Sequence, residues 1–249
     1  MKITVIGAGA IGGNLASKLA AAGHDVQVAD ARGTEAVAAG VLESGARPVE
    51  VEDSVSGRDV IILSIPFDRV PELADLIATA PAETIVVDTS NYYPFMNGQI
   101  DAVNAARNDD PAVETEYNSA LLGRPLVKAW NAALAGTQQS KGTPAGTPGR
   151  IAIPVAADSP DSRRVVMQLV DDTGFDPYDA GVLADSWRQQ PMGPAYCTEL
   201  TLDELEKALA RADRVKDAAV RDSAGERMAA LGDSFTHDDV VEMNRAAHR

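Results

Sequence analysis

Three glycines, Gly7, Gly9 and Gly12, followed 18 positions later by the acidic residue Asp30, have the types and spacing best suited to a defined chemistry in this chain. Gly7 permits a tight turn at the end of a strand, Gly9 lets the backbone approach a pyrophosphate, and Gly12 lets a helix pack close to that strand. Ala10 and Ile11 complete the turn, and the N–H groups that open the helix favour a phosphate anion. Asp30 stands where a carboxylate accepts from the ribose hydroxyls of a dinucleotide. Arg32 offers a different contact, a guanidinium that stacks on adenine or pairs with a 2′-phosphate. Asp30 points to NAD and Arg32 to NADP, because a carboxylate facing a 2′-phosphate is repelled unless it turns away.

In a chain with 20 glycines the bare spacing recurs by chance, so the elements around it decide its meaning. Ile3, Val5 and Ile6 form an apolar strand in front, Leu15, Leu19 and Ala22 follow at helical spacing, and Gly23 closes the helix. Residues 25–30 read as a second strand, 34–45 as a helix and 48–51 as a third strand. The run 59–66 is continuously apolar, as in strands covered on both faces. A helix over 68–80 and a fifth strand over 83–88 follow. Residues 97–122 read as helices interrupted around 108–111, and 126–131 as a sixth strand. The stretch 136–149, with its glycines and prolines, reads as an exposed loop. A seventh strand occupies 150–155, Ser159 and Pro160 open a helix through 171, and 175–179 is an eighth strand.

Strands alternating with helices predict the α/β class, as a Rossmann, doubly wound, mostly parallel sheet of about eight strands with a small helical C-terminal part. Residues 1–197 form the NAD(P)-binding domain and 198–249 a helical extension. That extension opens on a Thr201–Glu204 capping box and carries Leu202, Leu205 and Leu209 on one apolar stripe.

Ligands of such sheets lie beyond the carboxyl ends of the strands, where strand order reverses. The glycine turn is therefore expected to meet Ser64, Ile65 and Pro66 after the fourth strand and Asn91 after the fifth, beside the ribose and nicotinamide. Trp130 and Asn131, ending the sixth strand, are expected to line the crevice, and Trp187 to contact substrate or a second subunit. Lys128 reads as a lysine that snorkels or pairs. The alternative is the acid–base lysine of a small hydroxy-acid dehydrogenase, and a non-catalytic NAD(P)H-sensing protein is a third reading. None of His24, His237 and His248 has a catalytic placement, and no metal-ligand spacing occurs. Cys197 reads as an inert thiol.

A net charge of −15 argues against nucleic acid and anionic membrane as partners. No apolar run approaches the roughly 18 residues a membrane helix needs. The chain opens on a strand rather than an apolar signal, and the single cysteine excludes an internal disulfide, so a cytoplasmic location is expected.

Four stretches together resemble a known family: residues 5–12, Leu63-Ser-Ile-Pro66, Val127-Lys-Ala-Trp-Asn131 and residues 174–183. They are similar to the NADP-binding oxidoreductases related to the F420-dependent NADP reductase, whose nucleotide domain also looks like that of STEAP-type reductases. The likeness covers most of 1–197. It implies an eight-stranded sheet, hydride transfer between nicotinamide and coenzyme F420 or a flavin as small-molecule redox partner, and often a homodimer. In that family an Asn-Ser-Arg-Gly sequence after the second strand holds the 2′-phosphate. Here Asp30-Ala-Arg-Gly33 stands in its place, and Trp130 replaces a phenylalanine. Hydride transfer between stacked rings asks for no acid–base residue, and none is assigned.

Overall fold

A computed structural model describes residues 1–104, 111–232 and 234–248. The chain opens with β1 (Lys2–Ile6), α1 (Ala10–Ala21) and β2 (Asp25–Ala29). The helix expected over 34–45 is a 3-10 turn at Thr34–Ala36 and a short α2 (Ala39–Glu43), leading to β3 (Arg47–Val49). Gly33, at φ +93°, redirects the chain after β2, and Gly40 sits inside the second piece, so a continuous helix has neither the start nor the interior it needs.

β4 (Val60–Leu63) is followed by a 3-10 helix at Phe67–Leu73 and α3 (Ala74–Ala78) where one α-helix was expected. Pro71 lies inside the 3-10 stretch and removes a donor from the α pattern. β5 (Ile85–Asp88) and α4 (Pro94–Asn97) come next. Within the helical reading of 97–122, α5 (Glu114–Leu122) is present, while the interruption around 108–111 falls largely outside the described residues. β6 (Leu126–Lys128) stops three residues early, and α6 (Ala135–Ser140) occupies the start of the stretch read as a loop. β7 (Ala152–Val155), α7 (Pro160–Asp172) and β8 (Asp176–Asp179) complete the strands. Ser159 caps α7 by accepting from the Ser162 amide at 3.2 Å, with Pro160 at the first turn, as expected.

The central sheet is parallel, in the order β3-β2-β1-β4-β5-β6, so strand order reverses between β1 and β4. It has six strands rather than about eight. β7 and β8 pair in parallel with each other, and the two sheets meet at one antiparallel bridge in which Lys128 and Ala156 exchange backbone hydrogen bonds of 2.8 and 3.0 Å. Alternation sorts the strands onto two cores. Ile3, Val5, Val60 and Ile62 face α1 and α7, while Ile6, Ile61 and Leu63 face the layer of α3 and α5. Each such side chain contributes about 1.5–3 kcal/mol by its burial.

Beyond residue 197 the chain is helical: α8 (Leu202–Ala210), α9 (Arg214–Asp222), α10 (Ala224–Ala230) and α11 (His237–Ala246). The Thr201–Glu204 capping box forms. Leu205 and Leu209 pack on Ala152 of β7, but Leu202 points to solvent, so the apolar stripe is narrower than expected. No described helix is long and apolar enough to cross a membrane.

The deepest link from these helices is Arg221, almost fully buried. It donates to Glu114 at 3.3 Å and to Asp222 at 2.9 Å, and lies 4.9 Å from the Tyr92 ring centroid. Burial pushes the Glu114 carboxyl upward, against the pull of the Arg221 and Lys128 charges. Arg221→Met should cost about 3 kcal/mol by leaving Glu114 without its cation. Urea unfolding should show this, and adding Glu114→Gln should recover part of the loss.

Candidate functional site

β1 ends at Gly7, whose φ of +105° an L side chain rarely adopts. A methyl group placed there would lie 2.1 Å from the Ser64 carbonyl oxygen, and one on Gly12 would lie 1.8 Å from the Gly7 carbonyl oxygen. Both glycines are thus required by backbone packing among β1, α1 and the end of β4. Gly9 differs, since a methyl group there meets nothing within 4 Å. It precedes α1 without a side-chain cap, so the helix presents first-turn amides with no side-chain acceptor. A groove of about 600 Å³ opens over Ala8, Gly9, Ala10 and Gly13 and runs along α1 to Gln139 of α6. Ile11 is half-buried against the core behind it.

At the end of β2, Asp30 is buried and accepts from four donors. The Ala8 amide (3.2 Å) and an Arg32 terminal nitrogen (3.1 Å) reach Oδ2, while the Arg32 amide (3.0 Å) and Nε (2.8 Å) reach Oδ1. Hydrogen bonding from the Arg32 side chain, helped by the two amides, holds the Asp30 carboxyl at about 2. The Arg32 side chain is still 71% exposed. The two residues that point to different cofactors are therefore one bidentate ion pair, which also anchors the glycine turn through Ala8.

The remaining expected residues fall into one connected line and two exceptions. Ser64 donates its amide to Ile6 at 2.8 Å, Ile65 approaches Gly7, and Pro66 leads into the following 3-10 helix. Thr89 donates its amide to Leu63, placing Asn91 beside this edge. Asn91 donates to the Asn131 carbonyl at 3.0 Å and accepts from the Asn131 amide group at 3.1 Å. Asn131 is held in turn by Gln189, whose carbonyl accepts at 2.8 Å and whose side chain donates at 3.0 Å. The Tyr196 hydroxyl accepts from Asn91 at 3.3 Å. Gln189 and Tyr196 are additions to the expected set, and the only sequence sign of them was the mixed aromatic and glutamine block 185–197.

Trp130 is the first exception. Its φ of +57° turns the indole back into the core, where it donates to Thr173 Oγ1 at 3.3 Å and is almost fully buried, so it does not line the crevice. Trp187 is the second. It is half-buried, with the Arg188 guanidinium 4.4 Å from its ring centroid.

Lys128 is fully buried at the end of β6, donating to Asp88 Oδ2 at 3.2 Å and to the Ser90 carbonyl at 2.5 Å. Asp88 also accepts from the amide and hydroxyl of Ser90, from Thr115 and from Asn118. This hub braces the turn that carries Asn91. Burial pushes the Cys197 thiol up to about 12, which keeps it protonated and unreactive. The histidines bond elsewhere: His24 to Asp172, His237 to Glu199 and His248 to the Met192 carbonyl. Among the described residues no group of three or more His, Cys, Asp or Glu is arranged to hold a metal ion.

A family described as NADP oxidoreductase, coenzyme F420-dependent, matches residues 2–92. Protein YjhV of Escherichia coli (strain K12) is 40% identical over 133 residues, 53% of this chain and 90% of that protein. Hypothetical protein SMa0349 from Sinorhizobium meliloti superimposes with a TM-score of 0.62 at 29% identity, over 81% of this chain and 92% of its own. A chain from Arthrobacter sp. FB24, provisionally named an F420-dependent NADP reductase, shares the fold with a TM-score of 0.58 at 23% identity, over 75% of this chain and 87% of its own.

Two outcomes separate packing glycines from the one that borders open space. Gly12→Ala should fail to reach a cooperative fold, whereas Gly9→Ala should stay folded and lose at least tenfold in nucleotide affinity, as read by thermal unfolding and fluorescence titration. The Asp30–Arg32 pair also sets an acid dependence. Folding lowers the Asp30 pKa to about 2. The stability it contributes is therefore complete above the unfolded carboxylate value near about 4 and is lost as pH falls through the folded one. The stability gap between the natural chain and Asp30→Asn should accordingly shrink between about pH 5 and pH 2 in urea titrations.

Proposed function

The chain belongs to the F420-dependent NADP oxidoreductase family, and from that premise we propose that it binds NADPH across the ends of β1, β2, β4 and β5 and exchanges hydride with coenzyme F420 or a flavin. The Asp30–Arg32 pair carries this reading. Both Asp30 oxygens are engaged by Arg32 and the Ala8 amide, so the carboxylate acts as a support for a cation rather than as a free acceptor for ribose hydroxyls. The exposed guanidinium beside the turn suits a 2′-phosphate, which it can meet with paired N–H donors.

The residues fit a dinucleotide. The open space at Gly9 and the first-turn amides of α1 suit a pyrophosphate, and the groove along α1 is large enough to admit one. When bound, reduced nicotinamide supplies the hydride, two electrons and a proton together. The chain's own part is positioning. Ser64, Ile65 and Pro66 form the edge under the ribose, and the Asn91–Asn131–Gln189 chain of hydrogen bonds fixes the polar wall at the nicotinamide end. Ring-to-ring hydride transfer depends on such register, and a misplacement of about 1 Å can cost about a hundredfold in rate. The Lys128 dehydrogenase reading is disfavoured, because the ammonium is fully buried and held by Asp88 and the Ser90 carbonyl.

Arg32→Ala should weaken NADPH by at least tenfold, about 1.4 kcal/mol, and leave NADH within twofold. Parallel titrations followed by nicotinamide fluorescence read this directly. Equal losses for both nucleotides would remove Arg32 from the 2′-phosphate and the NADPH preference with it.

A further inference from the structure

A second cavity, of about 450 Å³, lies between α8 and α11, and its charge is opposite to that of the molecule. The chain carries 37 acidic residues against 22 basic ones, yet among the described residues Lys207, Arg211, Arg245 and His248 line this space with Glu204 as the only acid. The Glu204 carboxylate is already used, accepting from the Thr201 amide at 2.9 Å and hydroxyl at 2.8 Å in the capping box.

Several cations of the chain are set against carboxylates, as in Arg32–Asp30, Arg150–Asp171 and Arg163–Asp179, while others, such as Arg124, bond only backbone carbonyls among the described residues. Lys207, in the last turn of α8, and Arg211, the residue that caps its C-terminus, are both exposed and have no carboxylate within 4.0 Å among the described residues. Arg245 reaches the cavity from α11 with its Nε and one terminal nitrogen on the Thr198 carbonyl, at 2.9 and 2.7 Å. That carbonyl fixes the guanidinium without neutralising it. Three permanent cations thus converge on a concave space within the size range of small-molecule sites.

We propose that this cavity binds a phosphate-bearing small molecule, with Lys207 as a point charge and Arg211 and Arg245 as guanidinium forks. Guanidinium matches phosphate oxygens in pairs, and an anion here would meet three cations gathered around one concave space. The site is separate from the glycine turn. It joins α8 and α11 to the 194–200 segment, which follows Met192 and contains Cys197 and Glu199, all three at positive φ. Its occupation therefore stabilises the helical end of the chain, independently of which nucleotide the glycine turn prefers.

The test uses the full chain with NADPH present to fill the glycine turn, titrated with inorganic pyrophosphate at constant ionic strength and followed by thermal unfolding. A saturable rise in Tm is expected, as binding to the folded state requires. Lys207→Glu with Arg211→Glu, both exposed positions, should move the midpoint of that rise at least tenfold higher while NADPH affinity stays unchanged. Lys207→Gln with Arg211→Gln, a milder pair, should move it in the same direction. The absence of a saturable rise in the natural chain, or an unmoved midpoint in both variants, overturns the proposal.

Discussion

The backbone contact between Gly12 and the Gly7 carbonyl is the constraint on which the rest of the arrangement depends. It seats α1 directly on the end of β1, and the Gly7–Ser64 approach locks that junction to β4 at the point where strand order reverses. No side chain can be inserted at either place, so the position of the helix N-terminus relative to the sheet edge is set by main chain alone. The pyrophosphate proposed to bind there would meet a site fixed in advance, which limits the ordering cost of binding.

From that junction two supports run outward. One is the Asp30 carboxylate, which accepts from both Ala8 and Arg32 and so couples the glycine turn to the end of β2. The other passes through Asp88, whose buried carboxylate gathers Ser90, Thr115, Asn118 and Lys128 and holds the loop that presents Asn91. Both carboxylates sit at the carboxyl ends of their strands. Their hydrogen bonds turn polar groups into scaffolding that orders the crevice.

Much of this was legible in the sequence because it is local. The glycine spacing, the apolar strand before it, the capped α7 and the acidic end of β2 are each set within about a dozen residues, where periodicity and cap chemistry act. What was not legible depended on geometry across the fold. Asp30 and Arg32 are visible as residue types, but only the turn at Gly33 shows that they bond each other. Trp130 was read as part of the sixth strand's end; it lies two residues beyond β6, where one positive φ sends its indole inward. Arg221 and Glu114 lie 107 residues apart, and no pattern in the chain announces that one will bury itself against the other. The two strands beyond β6 were also read correctly as strands; what sequence could not show is that they pair with each other and join the main sheet through the bridge between Lys128 and Ala156.

The most direct measurement is a parallel titration of the natural chain with NADPH and NADH by nicotinamide fluorescence, with F420 then added to the NADPH complex. The account predicts NADPH binding at least tenfold tighter than NADH, and oxidation of the bound NADPH as F420 is reduced. Tighter binding of NADH, or a stable NADPH complex that F420 and flavins leave unoxidised, would contradict it.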